Sequence, residues 1–324
     1  MRLTAGNTRL VVIALGTAQT IAWGSTYYLP AVLATPMARD LGLSPVWIFA
    51  AFSAAMVLSA FVGPPAGRAI DERGGRSVLI VSSFVFAAGL AGLGLAQGPV
   101  SLFAAWFVIG IGMGMGLYEA AFSTLAGIYG KDARPSITGI TLIAGFASTV
   151  GWPLSGALEA SIGWRGACFV WAAIHLLIAL PLNILLPVGT KTRTPAPNAT
   201  AAPASSHEVV EPPSIWAIAA LAYVFAATWF VSTAMAAHLP RLLEAAGATT
   251  AMAITAGALI GPAQVGARVL EYSVLQRFHP LLSARLAAAA HPAGAMVLLV
   301  FGGPAAYAFT LMHGAGNGVL TIAK

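Results

Sequence analysis

The sequence predicts an all-α protein, a polytopic membrane helical bundle of two six-helix halves in which ten spans are present. Of its 324 residues 58% are hydrophobic and only 8% are charged, whereas a soluble domain has about 25% charged residues. The apolar segments are long runs, and a membrane helix needs about 20 apolar residues. A β-barrel would instead show alternating segments of about ten residues.

Ten apolar runs divide the chain into six spans, a linker and four further spans. Residues 1–188 form the predicted N-terminal six-helix half, and residues 214–324 form an incomplete C-terminal half of four helices. Residues 189–213 are rich in Pro, Ala, Ser and Thr, which predicts a flexible cytoplasmic linker. The predicted spans are roughly 10–33, 46–66, 77–97, 100–128, 136–160, 164–187, 214–238, 250–270, 284–302 and 304–323.

The basic residues indicate the orientation of these spans, because Lys and Arg concentrate on the cytoplasmic side. With the N-terminus inside, only three of the 16 basic residues lie on the outer side, namely Arg39, Arg165 and Arg241. The sequence therefore predicts an integral protein of a bacterial-type inner (plasma) membrane with a cytoplasmic N-terminus.

The densest cluster of charge lies between the second and third spans, from Gly67 to Arg76. We expect a tight, charged, glycine-bearing turn there, exposed to water at the membrane surface. A weaker copy of its flanking pattern recurs six spans later, which indicates two halves related by duplication. The two copies are Gly63-Pro64 before Arg68-x-x-Asp71 and Gly261-Pro262 before Arg268-x-x-Glu271.

The charged stretch resembles the loop between the second and third spans of the major facilitator superfamily. Its residues read Gly67-x-x-x-Asp71-x-x-Gly74-x-Arg76, with Glu72 where the pattern usually has a basic residue. The resemblance implies secondary active transport by alternating access. It also implies twelve spans, so the last two are expected to be missing after Lys324. In that family the loop acts as a conformational latch, a role that the resemblance assigns to Gly67, Asp71, Arg73, Gly74 and Arg76.

Two further features resemble the monocarboxylate and oxalate/formate carriers of that superfamily. One is Gly163-Trp164-Arg165-Gly166 at the start of the sixth span, and the other is Gln264-x-x-x-Arg268, where monocarboxylate carriers have Asp-x-x-x-Arg. The resemblance implies a small organic anion, such as a monocarboxylate, as the substrate. A drug or metabolite/proton antiporter is an alternative, because Gly151-Trp-Pro153 is similar to the motif of those exporters. A truncated membrane protein without transport is another.

The resemblance places the first, fourth, seventh and tenth spans along the central path, so polar residues there are candidates. Gln19, Trp23 and Tyr27 recur every four residues and share a helix face. They suit an organic ligand with a polar head, although a packing face or an interfacial aromatic belt would also explain them. Tyr118 precedes Glu119, and an acid removed from water favours its proton-bound form. Glu119 is therefore the candidate for proton coupling, and a hydrogen-bonded structural role is the alternative.

The C-terminal spans supply the remaining candidates for substrate binding. Arg268 stays charged and binds carboxylates through paired hydrogen bonds, so with Gln264 it is the candidate anchor for an organic anion. A snorkelling arginine, or one paired with Glu271, is the alternative. His313 and Asn317 lie one turn apart and are also candidates. His313 could instead relay protons or be a structural histidine.

No other chemistry is predicted. The single cysteine, Cys168, excludes an intrachain disulfide. The sequence contains no metal-ligand spacing, no Gly-x-Ser-x-Gly motif and no Walker sequence. We therefore expect no enzyme activity, no cofactor and no metal. The expected partners are the lipid bilayer, a small-molecule substrate and the protons of a coupled cycle, while the net charge of +6 is attributed to cytoplasmic loops and not to nucleic-acid binding.

Overall fold

The computed structural model describes residues 3–188, 214–274 and 280–322, and these residues form helices and turns without any strand. The predicted class, an all-α helical membrane bundle, is confirmed. The predicted linker, 189–213, lies outside the described residues. The helices are α1 Thr8–Ser25, α2 Leu29–Asp40, α3 Pro45–Arg73, α4 Gly75–Gly94, α5 Pro99–Gly116, α6 Tyr118–Tyr129, α7 Arg134–Ala144, α8 Ala147–Ile174, α9 Leu180–Leu185, α10 Ile215–Ala245, α11 Thr250–Ala258, α12 Ile260–Ser273, α13 Pro280–Phe301 and α14 Ala306–Ile322.

The number of membrane crossings stays a prediction. Every predicted span overlaps one helix or two consecutive helices. By length and composition alone, four helical segments of the described chain could cross a membrane, and one of them is an 87-residue run of several helices. These segments are Pro45–Arg73, Gly75–Gly94, Pro99–Leu185 and Thr250–Glu271.

Four spans that the sequence predicts as continuous are broken helices in the structure. The first breaks before Leu29, where Pro30 occupies the first turn of α2, because a proline has no N–H to continue the preceding helix. The fourth breaks at Leu117, whose φ of −87° and ψ of −164° are extended. The fifth and eighth break at the junctions between α7 and α8 and between α11 and α12. Hydropathy cannot reveal such breaks, since both sides of each are apolar.

The charged stretch after the second span is helical rather than a loop. α3 continues through Arg73, and only Gly74 leaves the helical conformation, with a φ of +84°. α4 then starts at Gly75, where a Cβ would lie 1.8 Å from Oγ1 of Thr124 on α6. The predicted turn is therefore the single residue Gly74, whose backbone conformation favours glycine. A second glycine at Gly75 is required by the close approach of Thr124.

Small residues let α5 pack closely against two neighbouring helices. A Cβ at Gly110 would lie 2.6 Å from the carbonyl oxygen of Ala55 on α3, and one at Gly112 would lie 2.8 Å from the Phe86 ring on α4. Gly114 and Gly116 repeat these contacts one turn later. Such close approach is the usual way for membrane helices to gain packing contacts.

The N-terminal segment (residues 3–188) and the C-terminal segment (residues 214–322) meet where α8 packs against α11. Oγ1 of Thr149 donates to the Ala258 carbonyl at 2.7 Å. A Cβ at Gly257 would lie 2.4 Å from the Trp152 ring, and one at Gly261 would lie 2.2 Å from Thr149. The two segments therefore touch backbone to side chain, and the space beside this contact holds the candidate site.

One end of the N-terminal segment is held by the side chain of Arg165, a residue of the Trp164-Arg165 pattern. Arg165 donates to the carbonyls of Gly94 and Ala96 at 2.9 and 2.6 Å and forms a 2.9 Å salt bridge with Asp40. The indole N–H of Trp164 donates to the same carboxylate at 3.2 Å. We call these residues the Arg165 clamp. It joins α2, the end of α4 and α8.

Candidate binding site between the two segments

A small pocket of about 50 Å³ lies between the two segments. It brings together six of the eight predicted substrate residues, although they come from both segments and five helices or helix junctions. Its walls are Trp23, Tyr27, Tyr28, Tyr118, Ala144, Trp229, Ser232, Gln264, Arg268 and Asn317. We call it the central pocket.

Arg268 supplies the positive charge of the central pocket. It is 4% exposed, so it does not snorkel to a surface. Nη1 donates to the Thr141 carbonyl at 2.6 Å, Nε donates to the Gly318 carbonyl at 3.3 Å, and the Tyr118 hydroxyl is hydrogen-bonded to the same guanidinium. No carboxylate among the described residues forms a salt bridge with it. The guanidinium is thus oriented by neutral oxygens and forms no salt bridge with the residues that the structure describes.

Aromatic rings form one wall of the central pocket. The Trp23 ring lies 4.9 Å from that of Tyr27 and 4.8 Å from that of Tyr118, measured between centroids. Helix breaks place these rings, because Tyr27 follows the end of α1 and Tyr118 is the first residue of α6. The indole N–H of Trp23 is buried without a partner in the described structure, so a polar donor is available in an otherwise aromatic wall.

Polar pairs complete the pocket. Oγ of Ser232 donates to Oδ1 of Asn317 at 2.7 Å, which joins α10 to α14. The hydroxyl of Tyr28 is hydrogen-bonded to Gln264, which joins the N-terminal segment to α12. The pocket therefore presents a cation, amide groups and hydroxyls beside the aromatic wall, as a site for a small polar ligand with an apolar body would.

A larger cavity of about 530 Å³ adjoins the central pocket and shares Trp23, Tyr27 and Trp229 with it. It extends along α3 to Gly67 and Ile70, near the charged stretch. Glu119 also lines it, and its side chain is exposed. An acid within an apolar span is expected to lie away from water. In the structure α6 starts at Tyr118, and Glu119 faces the cavity.

A hydrogen bond separates this cavity from a second one of about 380 Å³. Tyr27 lines the first cavity and Thr233 lines the second, and the Tyr27 hydroxyl donates to Oγ1 of Thr233 at 2.6 Å. Arg241 also donates to Oγ1 of Thr35, which joins α10 to α2. The two segments are thus closed against each other beside Tyr27 and open beside Glu119.

Residues 15–323 match the Major Facilitator Superfamily. The chain belongs to this superfamily. It is 28% identical over 272 residues to an uncharacterized 38 kDa protein of the 23S RNA operon of Thermoproteus tenax, covering 83% of this chain and 66% of that protein. It is 24% identical over 258 residues to the 4-hydroxybenzoate transporter PcaK of Pseudomonas putida, covering 70% of this chain and 57% of that transporter.

Solved transporters of the superfamily share the fold. A D-xylose–proton symporter aligns with a TM-score of 0.64 at 14% identity, over 96% of this chain and 80% of the symporter. This chain therefore has the helical architecture of a Major Facilitator Superfamily transporter. The chain spans less than two thirds of the length of the Thermoproteus tenax protein and of the Pseudomonas putida transporter.

Two of the eight residues that the sequence predicts to bind substrate, Gln19 and His313, do not line the central pocket. Gln19 is buried, and its Nε2 donates to the Gly116 carbonyl at 2.7 Å, at the break between α5 and α6. His313 faces α13, where its Nδ1 lies 2.9 Å from Nδ1 of His291. Gln19 therefore supports the helix break that places Tyr118, and His313 belongs to a different cluster.

Tyr28 lines the pocket although the sequence indicated no binding role for it, and Trp229 and Ser232 come from the seventh span, which offered polar residues to the central path. Tyr28 lies at the break before Leu29, and its side chain faces the central pocket. Trp229 and Ser232 share the face of α10 that meets Asn317. Their place in the seventh span, which the resemblance put along the path, was the available signal.

Proposed function

We propose that the protein is a secondary active transporter of a small organic anion and that Arg268 is the anchor for its carboxylate. The observation that supports this most directly is a buried guanidinium that faces a pocket and has no carboxylate partner among the described residues. Buried charges are normally paired. A carboxylate ligand would supply the missing charge and accept paired hydrogen bonds from the guanidinium.

The aromatic wall favours a monocarboxylate with a planar, apolar body. With its carboxylate at Arg268, such a body would extend from the central pocket of about 50 Å³ into the adjoining cavity of about 530 Å³, where Trp23 and Tyr27 can pack against it. The relative from Pseudomonas putida is named as a 4-hydroxybenzoate transporter. 4-Hydroxybenzoate has one carboxylate and a planar, apolar ring. We take an aromatic monocarboxylate as the first substrate to test.

Transport would proceed by alternating access, with the two segments rocking about the central pocket. The contact of Tyr27 with Thr233 would close one side, and the cavity beside Glu119 would open the other. Glu119 would bind a proton that is carried with the anion. The stretch that contains Gly67, Asp71, Arg73, Gly74 and Arg76 would latch one state near the cytoplasmic surface of an inner membrane.

The anchoring role can be tested by replacing Arg268 with Gln. We expect binding to weaken by about 2–5 kcal/mol, because a buried hydrogen-bonded charge partner is lost. The measurements are equilibrium binding and proteoliposome uptake of radiolabelled 4-hydroxybenzoate, benzoate and lactate.

Arg285→Gln is the matched control, since Arg285 is an exposed arginine of the same segment and should bind and transport normally when replaced. If Arg268→Gln carries every anion that the unaltered protein carries, Arg268 is not the anchor. If the unaltered protein carries none of these anions, the proposed substrate class is wrong.

A further inference from the structure

Two histidines outside the central pocket face each other between α13 and α14. Nδ1 of His291 lies 2.9 Å from Nδ1 of His313, and the ring centroids are 4.8 Å apart. His313 is 3% exposed, and Phe309 stacks on its ring. Gly316 makes room for the pair, since a Cβ there would lie 3.1 Å from Nε2 of His291. The contact is a hydrogen bond between two imidazole rings inside the helical bundle.

The bond between two Nδ1 atoms determines how many protons the pair can hold. A neutral imidazole has one N–H and one nitrogen lone pair. In the neutral pair one lone pair accepts the bridging hydrogen, so a single lone pair remains free, on Nε2 of the donor ring. An incoming proton binds there and leaves the bridge intact. A second proton would put two N–H groups face to face and break the contact.

An unpartnered atom marks the position of that free lone pair. Nε2 of His291 is buried and has no hydrogen-bond partner in the part of the chain that the structure describes. When His291 is the donor of the bridge, this nitrogen is the one that carries the free lone pair. We propose that the His291–His313 pair is a proton-binding site of the C-terminal segment with a capacity of one proton.

The charged groups on the helices packed against α14 give the pair no counter-charge. α12 carries Arg268 and Glu271, and α13 carries Arg285 besides His291, whereas α11 carries no charged residue. α10, which Ser232 joins to α14, carries His238, Arg241 and Glu244. No carboxylate of the described residues forms an ion pair with either imidazole. An unpaired charge within a membrane protein costs free energy unless water reaches it. Proton binding at this pair therefore favours a conformation in which the pair is hydrated.

α14 connects the pair to the central pocket. His313 lies one turn before Asn317, which lines the pocket. The next residue, Gly318, packs so closely on α12 that a Cβ there would lie 2.5 Å from the Gln264 carbonyl oxygen, and its own carbonyl accepts from Arg268. A movement of α14 at the pair must therefore displace the groups that hold the guanidinium.

The proton site itself is independent of the proposed transport, whereas its coupling role rests on the proposed function. Nitrogen-15 NMR of the full chain in detergent, labelled at histidine, tests the site. We expect a scalar coupling across the Nδ1···Nδ1 bridge. Both rings should report the same single titration step, because the one proton that is taken up belongs to the pair and not to either ring. His291→Asn should abolish that coupling, and the control His175→Gln, which alters a buried histidine of the other segment, should keep it.

Flux measurements in proteoliposomes test the coupling role with radiolabelled 4-hydroxybenzoate. We expect His291→Asn and His313→Asn to lose accumulation driven by a pH gradient and to keep exchange of labelled for unlabelled anion. Because exchange requires a folded transporter, its survival separates a coupling defect from misfolding.

Three results would overturn these inferences, each at a different point. The absence of a scalar coupling between the two Nδ1 atoms, or independent titration of the two rings, would refute the proton site. Variants that still accumulate anion along a pH gradient would refute its role in coupling. An unaltered protein that moves no anion would refute the proposed function, and the NMR experiment would still decide the proton site.

Discussion

Glu119 and Tyr118 are neighbours in the first turn of α6, yet their side chains line different cavities. Tyr118 reaches the guanidinium of Arg268 in the central pocket, while Glu119 faces the larger cavity. A carboxylate in the first turn also interacts favourably with the helix dipole. The break at Leu117 thus places a hydroxyl that faces the central pocket beside an acid that faces the larger cavity.

This placement leads to a prediction for Glu119→Gln, which keeps the shape of the side chain and removes its proton site. We expect accumulation of 4-hydroxybenzoate along a pH gradient to be lost, while exchange without a gradient continues. Glu244→Gln, at an exposed acid outside both cavities, is the control and should accumulate the anion normally. Accumulation by Glu119→Gln at the level of the unaltered protein would exclude this carboxyl group from coupling.

Among the helices, the junction of α3 and α4 depends most clearly on single residues. Gly74 alone reverses the chain between a 29-residue and a 20-residue helix. Its φ of +84° with a ψ of 144° belongs to a region that residues with a Cβ rarely adopt. The charged stretch keeps its position relative to α6 only if this residue keeps that conformation.

Gly74→Ala should therefore destabilise the protein by about 1–3 kcal/mol, the usual strain of such a backbone. Gly67→Ala is the matched control, because Gly67 is helical and an added Cβ would meet nothing within 4 Å. Alanine there should be neutral or stabilise by about 0.5–1 kcal/mol. Thermal unfolding of both variants in detergent measures the difference, and equal unfolding temperatures would contradict the assigned role of Gly74.

Sequence reasoning predicted the helices well and their interruptions poorly. The spacing of Trp23 and Tyr27, together with the resemblance that pointed to Arg268, predicted residues that do meet in one pocket. Hydropathy averages over about 19 residues and is blind to the extended conformation of Leu117. The bond between His291 and His313 was equally invisible, because it depends on how α13 packs against α14 and on the space beside Gly316.

In the whole molecule, the two segments touch on one side of the central pocket and part on the other. The Tyr27–Thr233 and Arg241–Thr35 hydrogen bonds join α10 to the first span and its continuation, α2. The cavity beside Glu119 lies on the other side. In a transport cycle these hydrogen bonds would have to break before the closed side could open.

Thr233→Val should therefore raise the fraction of molecules that are open beside Thr233. A cysteine placed at Ala237, which is 4% exposed and lines the second cavity, would report this opening in a Cys168→Ala background. We expect Thr233→Val and Tyr27→Phe each to speed alkylation of that cysteine several-fold. The double variant should add little, since one hydrogen bond is lost in all three. Additive rates would show that the two residues act separately.

The Arg165 clamp has a practical consequence for following such motion. All its members, Asp40, Gly94, Ala96, Trp164 and Arg165, belong to the N-terminal segment. Their mutual distances should stay constant whichever way the segments rock. Spectroscopic labels attached beside the clamp would therefore provide fixed reference positions. Distances from them to labels on the C-terminal segment would report the displacement of that segment in the membrane of intact cells.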